Sequence, residues 1–107
     1  MSDQPTATFD YQEIDEIIHA RIRLAIMTIL IMRGKTDFAT LKKQTKTSDG
    51  NLSTHLRKLE DVGYISLEKS FVKRKPVTIY WVSAKGKKAY AQYLATMEKL
   101  VKKPEEE

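Results

Sequence analysis

Residues 48–63, SDGNLSTHLRKLEDVG, decide how the rest of the chain is read. Leu52, Leu56 and Leu59 recur at i, i+4 and i+7, which puts them on one face of a helix. At about 100° per residue the opposite face carries Gly50, Thr54 and Arg57, with Asn51, Ser53 and Lys58 on its flanks. Ser48 is a good N-cap, and Asp49 in the first turn suits the positive end of the helix dipole. Gly63 is a natural stop. The predicted helix is apolar on one side and small, polar and basic on the other. Such a helix can pack on a core and still enter a DNA major groove. Taken alone it would more often be an ordinary surface helix, so its neighbours decide.

Upstream, Asp37 caps a short helix over about Phe38–Thr45, with Phe38 and Leu41 facing inward. Thr45 to Thr47 make the turn into the central helix, without a glycine. Helix, short turn, helix is the helix-turn-helix arrangement. Downstream of Gly63 the period changes from helical to alternating. Ile65 and Leu67 share one face of a first strand, Tyr64–Ser70. Val77–Val82 is β-branched and aromatic, as a second strand requires. Between them lies the basic loop Phe71–Pro76, so the two strands form a β-hairpin with Pro76 at its edge. Lys73, Arg74 and Lys75 at the tip can reach phosphates. A charged edge that blocks sheet aggregation explains the same residues about as well.

At the N-terminal end the sequence predicts one helix from about Tyr11 to Arg33, with room for a bend near His19–Arg21, where no strong breaker stands. Ile14, Ile17, Ile18, Ile22, Ala25 and Ile29 make one stripe, and Leu24–Met32 is apolar almost all round. A helix apolar on every side must be covered on every side. Its own domain covers part, and a second chain is expected to cover the rest. At the C-terminal end Ser83 caps a last helix, Ala84 to about Lys102, with Tyr90, Tyr93, Leu94, Met97, Leu100 and Val101 on one stripe. The predicted organisation is a tail over residues 1–10, one domain over 11–102 and an acidic tail over 103–107.

The chain has 107 residues, enough for one domain with one core. Its N-terminus is polar, unlike a signal peptide, and the apolar run Leu24–Met32 is too short to span a bilayer. Cysteine is absent, so there is no disulfide and no thiolate metal site, which fits a cytoplasmic protein. Between residues 40 and 90 twelve basic residues face four acidic ones, a balance of +8 within a chain whose net charge is +5. A basic centre points to a polyanion partner, although lysine-rich solvated surfaces are common. Two isolated histidines, His19 and His55, and no P-loop, zinc-protease or cysteine-nucleophile motif leave nothing that points to an enzyme. No cofactor is expected.

The stretch Leu52–Ile65, LSTHLRKLEDVGYI, resembles the recognition-helix signature of MarR- and ArsR-type transcriptional regulators, and Thr78–Gly86 resembles their strand-to-helix segment, with Val82-Ser83 in place of Leu-Thr. The similarity covers roughly residues 13–100. It implies a mainly α fold with a two-stranded β-hairpin wing, that is, a winged helix-turn-helix with flanking N- and C-terminal dimerisation helices. It further implies a homodimer that binds double-stranded DNA sequence-specifically, the recognition helix 48–62 in the major groove and the wing 71–76 on the backbone or minor groove. By position, Asn51, Ser53, Thr54, Arg57 and Lys58 are the groove candidates, and Lys73, Arg74 and Lys75 the wing candidates. Ile14, Ile18, Ile22, Tyr90, Leu94, Met97 and Val101 are the dimer-interface candidates. The resemblance leaves open a small-molecule effector pocket between helices, and a winged helix that binds protein rather than DNA is the alternative. Metal sensing has no ligand set here.

Overall fold

A computed structural model describes residues 10–101. After a single 3-10 turn, Tyr11–Glu13, the elements are α1 (Arg21–Arg33), β1 (Thr36–Asp37), α2 (Phe38–Thr45), α3 (Asp49–Asp61), β2 (Ile65–Val72), β3 (Lys75–Val82) and α4 (Ala84–Val101). The mainly helical fold with a hairpin wing is as expected. The hairpin has gained a third strand: the antiparallel sheet runs β1-β3-β2. Residues 1–9 and 102–107 of the expected tails lie outside the described residues. Asp10, expected in the N-terminal tail, caps the 3-10 turn by accepting from the Gln12 amide at 2.9 Å.

The core assembles around α1. Ile26, Met27 and Leu30 are buried with Leu41 of α2, Leu52, Leu56 and Leu59 of α3, Ile65 of β2, Tyr80 and Val82 of β3 and Tyr93 of α4. Each fully buried aliphatic side chain is worth roughly 1.5–3 kcal/mol relative to exposure. The all-round apolar run is thus largely wrapped by its own domain. Ile31 and Met32, at 37% and 79% exposure, are its uncovered end.

The single N-terminal helix is corrected. The chain from Ile14 to Ala20 is not helical, although its isoleucines keep a helical spacing. Asp15 is the cause. One carboxylate oxygen accepts from the amides of Ile17 at 2.8 Å and Ile18 at 3.0 Å, while the other accepts from the Tyr64 hydroxyl. An aspartate that captures amides two and three residues on replaces the helical ladder with a local turn. Burial, and then the hydrogen bond to Asp15, push the Tyr64 hydroxyl up to about 12, so it stays a donor.

Candidate nucleic-acid interface

Three local devices set α3, the candidate recognition helix. The Ser48 hydroxyl accepts from the Asn51 amide at 3.1 Å, the expected N-cap. At the other end the Gly63 amide donates to the Glu60 carbonyl and the Tyr64 amide to the Leu59 carbonyl, both at 2.9 Å, with Gly63 at φ +82°. This pair of bonds is the Schellman motif, which needs a left-handed residue after the helix. Finally, Leu52, Leu56 and Leu59 lie at 0%, 3% and 0% exposure, which fixes the rotation of α3 about its axis.

With that face buried, Asn51, Ser53, Thr54, Arg57 and Lys58 are all exposed. The Thr54 hydroxyl donates to the Gly50 carbonyl at 2.9 Å, which leaves its oxygen lone pairs outward. The turn before α3 solves its missing glycine with Lys46, which adopts φ +54° and caps α2 through its amide to the Lys42 carbonyl. Lys42 also reaches Asp49 at 2.8 Å, an exposed pair worth little by itself that spans α2 and α3. Asp37 accepts from the Thr40 amide at 2.8 Å, and hydrogen bonds from Thr40 hold its carboxyl below the usual carboxylate value.

Behind α3 sits a contact that the sequence does not announce. Arg23 of α1 is only 9% exposed; its Nε donates to the Ile17 carbonyl at 2.5 Å. Its Nη1 lies 2.9 Å from Nδ1 of His55 on α3. A guanidinium can only donate, so His55 accepts at Nδ1 and carries its proton on Nε2. Burial, then the charges of Arg23 and Lys58, hold His55 below its ordinary value of 6.5. His19, the other histidine, lies 2.8 Å from the Tyr93 hydroxyl.

The wing is tighter than the expected loop. Phe71 and Val72 belong to β2, and Lys75 and Pro76 to β3; Val72 pairs with Lys75 and Phe71 with Pro76. Only Lys73 and Arg74 form the turn, at φ +51° and +68°. Two positive φ values in a two-residue hairpin loop mark a type I′ turn, usually made by Asn-Gly. Next to such a turn the flanking pair is hydrogen-bonded and the next pair is not, so Pro76 loses no ladder bond. Lys73, Arg74 and Lys75 are all exposed.

The dimer candidates divide. Ile18 is fully buried in the chain's own core. Ile14, Ile22, Tyr90 and Met97 are half-buried, and the Tyr90 hydroxyl lies 2.8 Å from that of Thr28. Leu94 and Val101 are 49% and 78% exposed. A cleft of about 400 Å³ opens beside Tyr64, between the N-terminal segment and the Lys85, Lys88 and Gln92 side of α4. Among the described residues no helix is long and apolar enough to cross a membrane, and no group of three or more histidines and carboxylates could hold a metal ion.

The family model described as a winged helix DNA-binding domain matches residues 22–101. An uncharacterized protein of Methanocaldococcus jannaschii is 33% identical over 79 residues, 74% of this chain and 86% of the relative. A transcriptional regulator homologue from Pyrococcus horikoshii OT3 is 28% identical, with a TM-score of 0.70 over 84% of this chain and 94% of that one. Diamide-treated YodB from B. subtilis shares the fold at 19% identity and a TM-score of 0.70, covering 82% and 88% of the two chains. The resemblance to MarR- and ArsR-type regulators therefore holds at the level of the shared winged-helix architecture.

Proposed function

Because the chain belongs to the winged helix DNA-binding domain family, we propose that it is a homodimeric transcriptional regulator that binds double-stranded DNA sequence-specifically. The carrying observation is α3: its leucine face is buried, and Asn51, Ser53, Thr54, Arg57 and Lys58 stand in solvent on the rest. In this reading α3 lies in the major groove, where Arg57 suits the O6 and N7 acceptors of guanine and Asn51 suits adenine. Lys73, Arg74 and Lys75 hold phosphates beside it and set the register of the helix without reading sequence. The effector that the resemblance leaves open has a place of suitable size in the cleft beside Tyr64.

The test is selection of bound sites from a random duplex pool, followed by titration of the selected site and of random duplex at two salt concentrations. The proposal expects an enriched site with two-fold symmetry and affinity that falls steeply with salt, by a log–log slope of about 0.9 per phosphate contacted. Absence of binding to any duplex at low salt would overturn it in favour of a protein-interaction module.

A further inference from the structure

Arg23 is a buried cation whose partners among the described residues include no carboxylate. Its side chain, 9% exposed, ends on the Ile17 carbonyl and on Nδ1 of His55. The ion pairs among the described residues lie elsewhere, Lys42 with Asp49 and Lys99 with Glu13. Arg23 also stands in the first turn of α1, at the positive end of that helix. A buried charge held by neutral acceptors at the unfavourable end of a helix contributes little to stability. What it does hold is geometry. One guanidinium joins the N-terminal segment 14–20, through Ile17, to the middle of α3, through His55. The segment is itself anchored. Asp15 holds the Tyr64 hydroxyl just past the end of α3, His19 lies 2.8 Å from the Tyr93 hydroxyl of α4, and Glu13 lies 3.3 Å from Lys99 further along α4. The segment thus reaches α4 on one side and α3 on the other. Arg23 is its link to the turn of α3 that carries Thr54, Arg57 and Lys58.

Resting on the reading of the protein as a DNA-binding regulator, we infer that Arg23 is a positioning residue for DNA binding: through His55 it locks α3 to the N-terminal segment in the setting that meets the duplex, and protonation of His55 opens the lock. Arg23 itself touches no DNA, because its head is buried behind α3. The lock needs a neutral imidazole, since a guanidinium only donates and Nδ1 has to accept. An added proton sets two N–H donors face to face across 2.9 Å. The charged groups that act on His55 are Arg23 from α1 and Lys58 from α3 itself, both cations. The acids of the segment are engaged elsewhere: Asp15 accepts from Tyr64 and from the Ile17 and Ile18 amides, Glu13 faces Lys99, and Glu16 is exposed. None of them steadies an imidazolium at position 55. Proton uptake and DNA binding are then linked, and the linkage is reciprocal. If the proton weakens binding, the duplex makes His55 harder to protonate by the same factor. A histidine that touched a phosphate would give the opposite sign, because a nearby anion favours the imidazolium.

The chain has two histidines, so a proton NMR titration resolves the His55 imidazole, and His55→Asn assigns it. With the selected duplex bound, the His55 midpoint is expected about one pH unit lower than in the free protein, the counterpart of a tenfold coupling. Binding titrations on either side of the free protein's midpoint then compare wild type with His55→Asn, at a temperature where melts show both folded. The Asn amide oxygen stands where Nδ1 does and does not titrate. The two proteins should bind alike on the alkaline side, and wild type up to about tenfold more weakly on the acid side. His19 is present in both and cancels. Arg23→Met keeps the apolar stem and removes both hydrogen bonds. At pH 7.5 it should bind about tenfold more weakly with the wild-type salt slope, since no phosphate contact is lost, and adding His55→Asn should change nothing further. A His55 midpoint that rises on binding would make His55 a phosphate contact and overturn the inference. An unmoved midpoint, or equal affinities on the acid side, would overturn it as well, and in each of these cases the proposed function stands. A wild type that binds no duplex takes both down. If Arg23→Met does not fold, the His55 midpoint and the His55→Asn comparison decide.

Discussion

Arg23 of α1 donates to Nδ1 of His55 on α3 across 2.9 Å, and this hydrogen bond exists only while His55 is neutral. Protonation removes the acceptor and sets an imidazolium against a guanidinium at the back of α3. The folded-state value of His55 is depressed below 6.5, with burial the largest cause. The unfolded chain therefore takes up the proton first, and stability rises with pH through this window. The contribution is complete above about pH 6.5 and is lost as pH falls below it toward the folded value. His55→Gln keeps a neutral acceptor and removes the titration. Thermal melts at pH 5 and pH 7.5 should show wild type losing more stability on acidification than this variant. Equal losses in the two proteins would show that the contact does not titrate on its own.

Arg57 is exposed on the far side of α3 from its leucines. Arg57→Ala should change stability by no more than about 0.5 kcal/mol. On a selected site it should cost about 1–3 kcal/mol of binding if the guanidinium reads a guanine edge, and markedly less on random duplex. An equal loss on both duplexes would move Arg57 from base readout to phosphate positioning. Unchanged affinity on both would take Arg57 out of the interface.

Gly86 holds the start of α4 against the end of α3. A Cβ placed there would lie 2.0 Å from the Tyr64 carbonyl oxygen and 2.8 Å from a Val82 methyl. That carbonyl already accepts from the Ser83 amide at 3.0 Å, and the Ser83 hydroxyl accepts from the Gly86 amide at 3.0 Å, so neither backbone can give way freely. Gly to Ala inside a helix ordinarily stabilises by roughly 0.5–1 kcal/mol. Here Gly86→Ala should destabilise by about 2 kcal/mol or more. Urea unfolding should show a lower midpoint with the same slope, and a midpoint at or above wild type would count against the close approach of Gly86 to Tyr64.

The central helices were legible because their instructions are local. Ser48 and Asp37 cap the helices they precede, and the period of Leu52, Leu56 and Leu59 sets the buried face of α3. Elsewhere the controlling contact is distant in sequence or too short for a pattern. Ile14 to Ile22 keep a helical spacing, yet the conformation there is set by Asp15, held from 49 residues away by Tyr64. Thr36 and Asp37 form a strand of two residues, which has no period to read, and they are recruited by Tyr80 and Ile79. The type I′ turn uses Lys73 and Arg74 where Asn-Gly is usual, so only the strand register reveals it. In the candidate site the exposed residues of α3 followed from burial of the opposite face, and those of the wing from their place at the hairpin tip. Arg23 did not, because a cation beside an apolar run reads as solvated until its partners Ile17 and His55 are seen.

Assembly is the last expectation, and it rests on the outer stripe of α4. Tyr90, Leu94, Met97 and Val101 recur at helical spacing; Tyr90 and Met97 are half-buried against the domain, while Leu94 and Val101 stand in water at 49% and 78% exposure. Ile31 and Met32 add uncovered apolar surface at the end of α1. A two-fold dimer that pairs α4 with its copy would cover Leu94 and Val101 and present two recognition helices about one DNA turn apart. Linked half-sites bind with a high effective concentration, so losing the dimer should reduce affinity for a palindromic site by about 100-fold or more. Leu94→Glu with Val101→Glu separates assembly from folding, because both side chains are solvent-facing in the single chain and cost it little. Wild type should sediment as a dimer at tens of micromolar and the double variant as a folded monomer with weakened binding to the palindrome. A wild type that sediments as a monomer would remove the dimer. A folded monomeric variant that still binds the palindrome as tightly as wild type would uncouple assembly from DNA recognition.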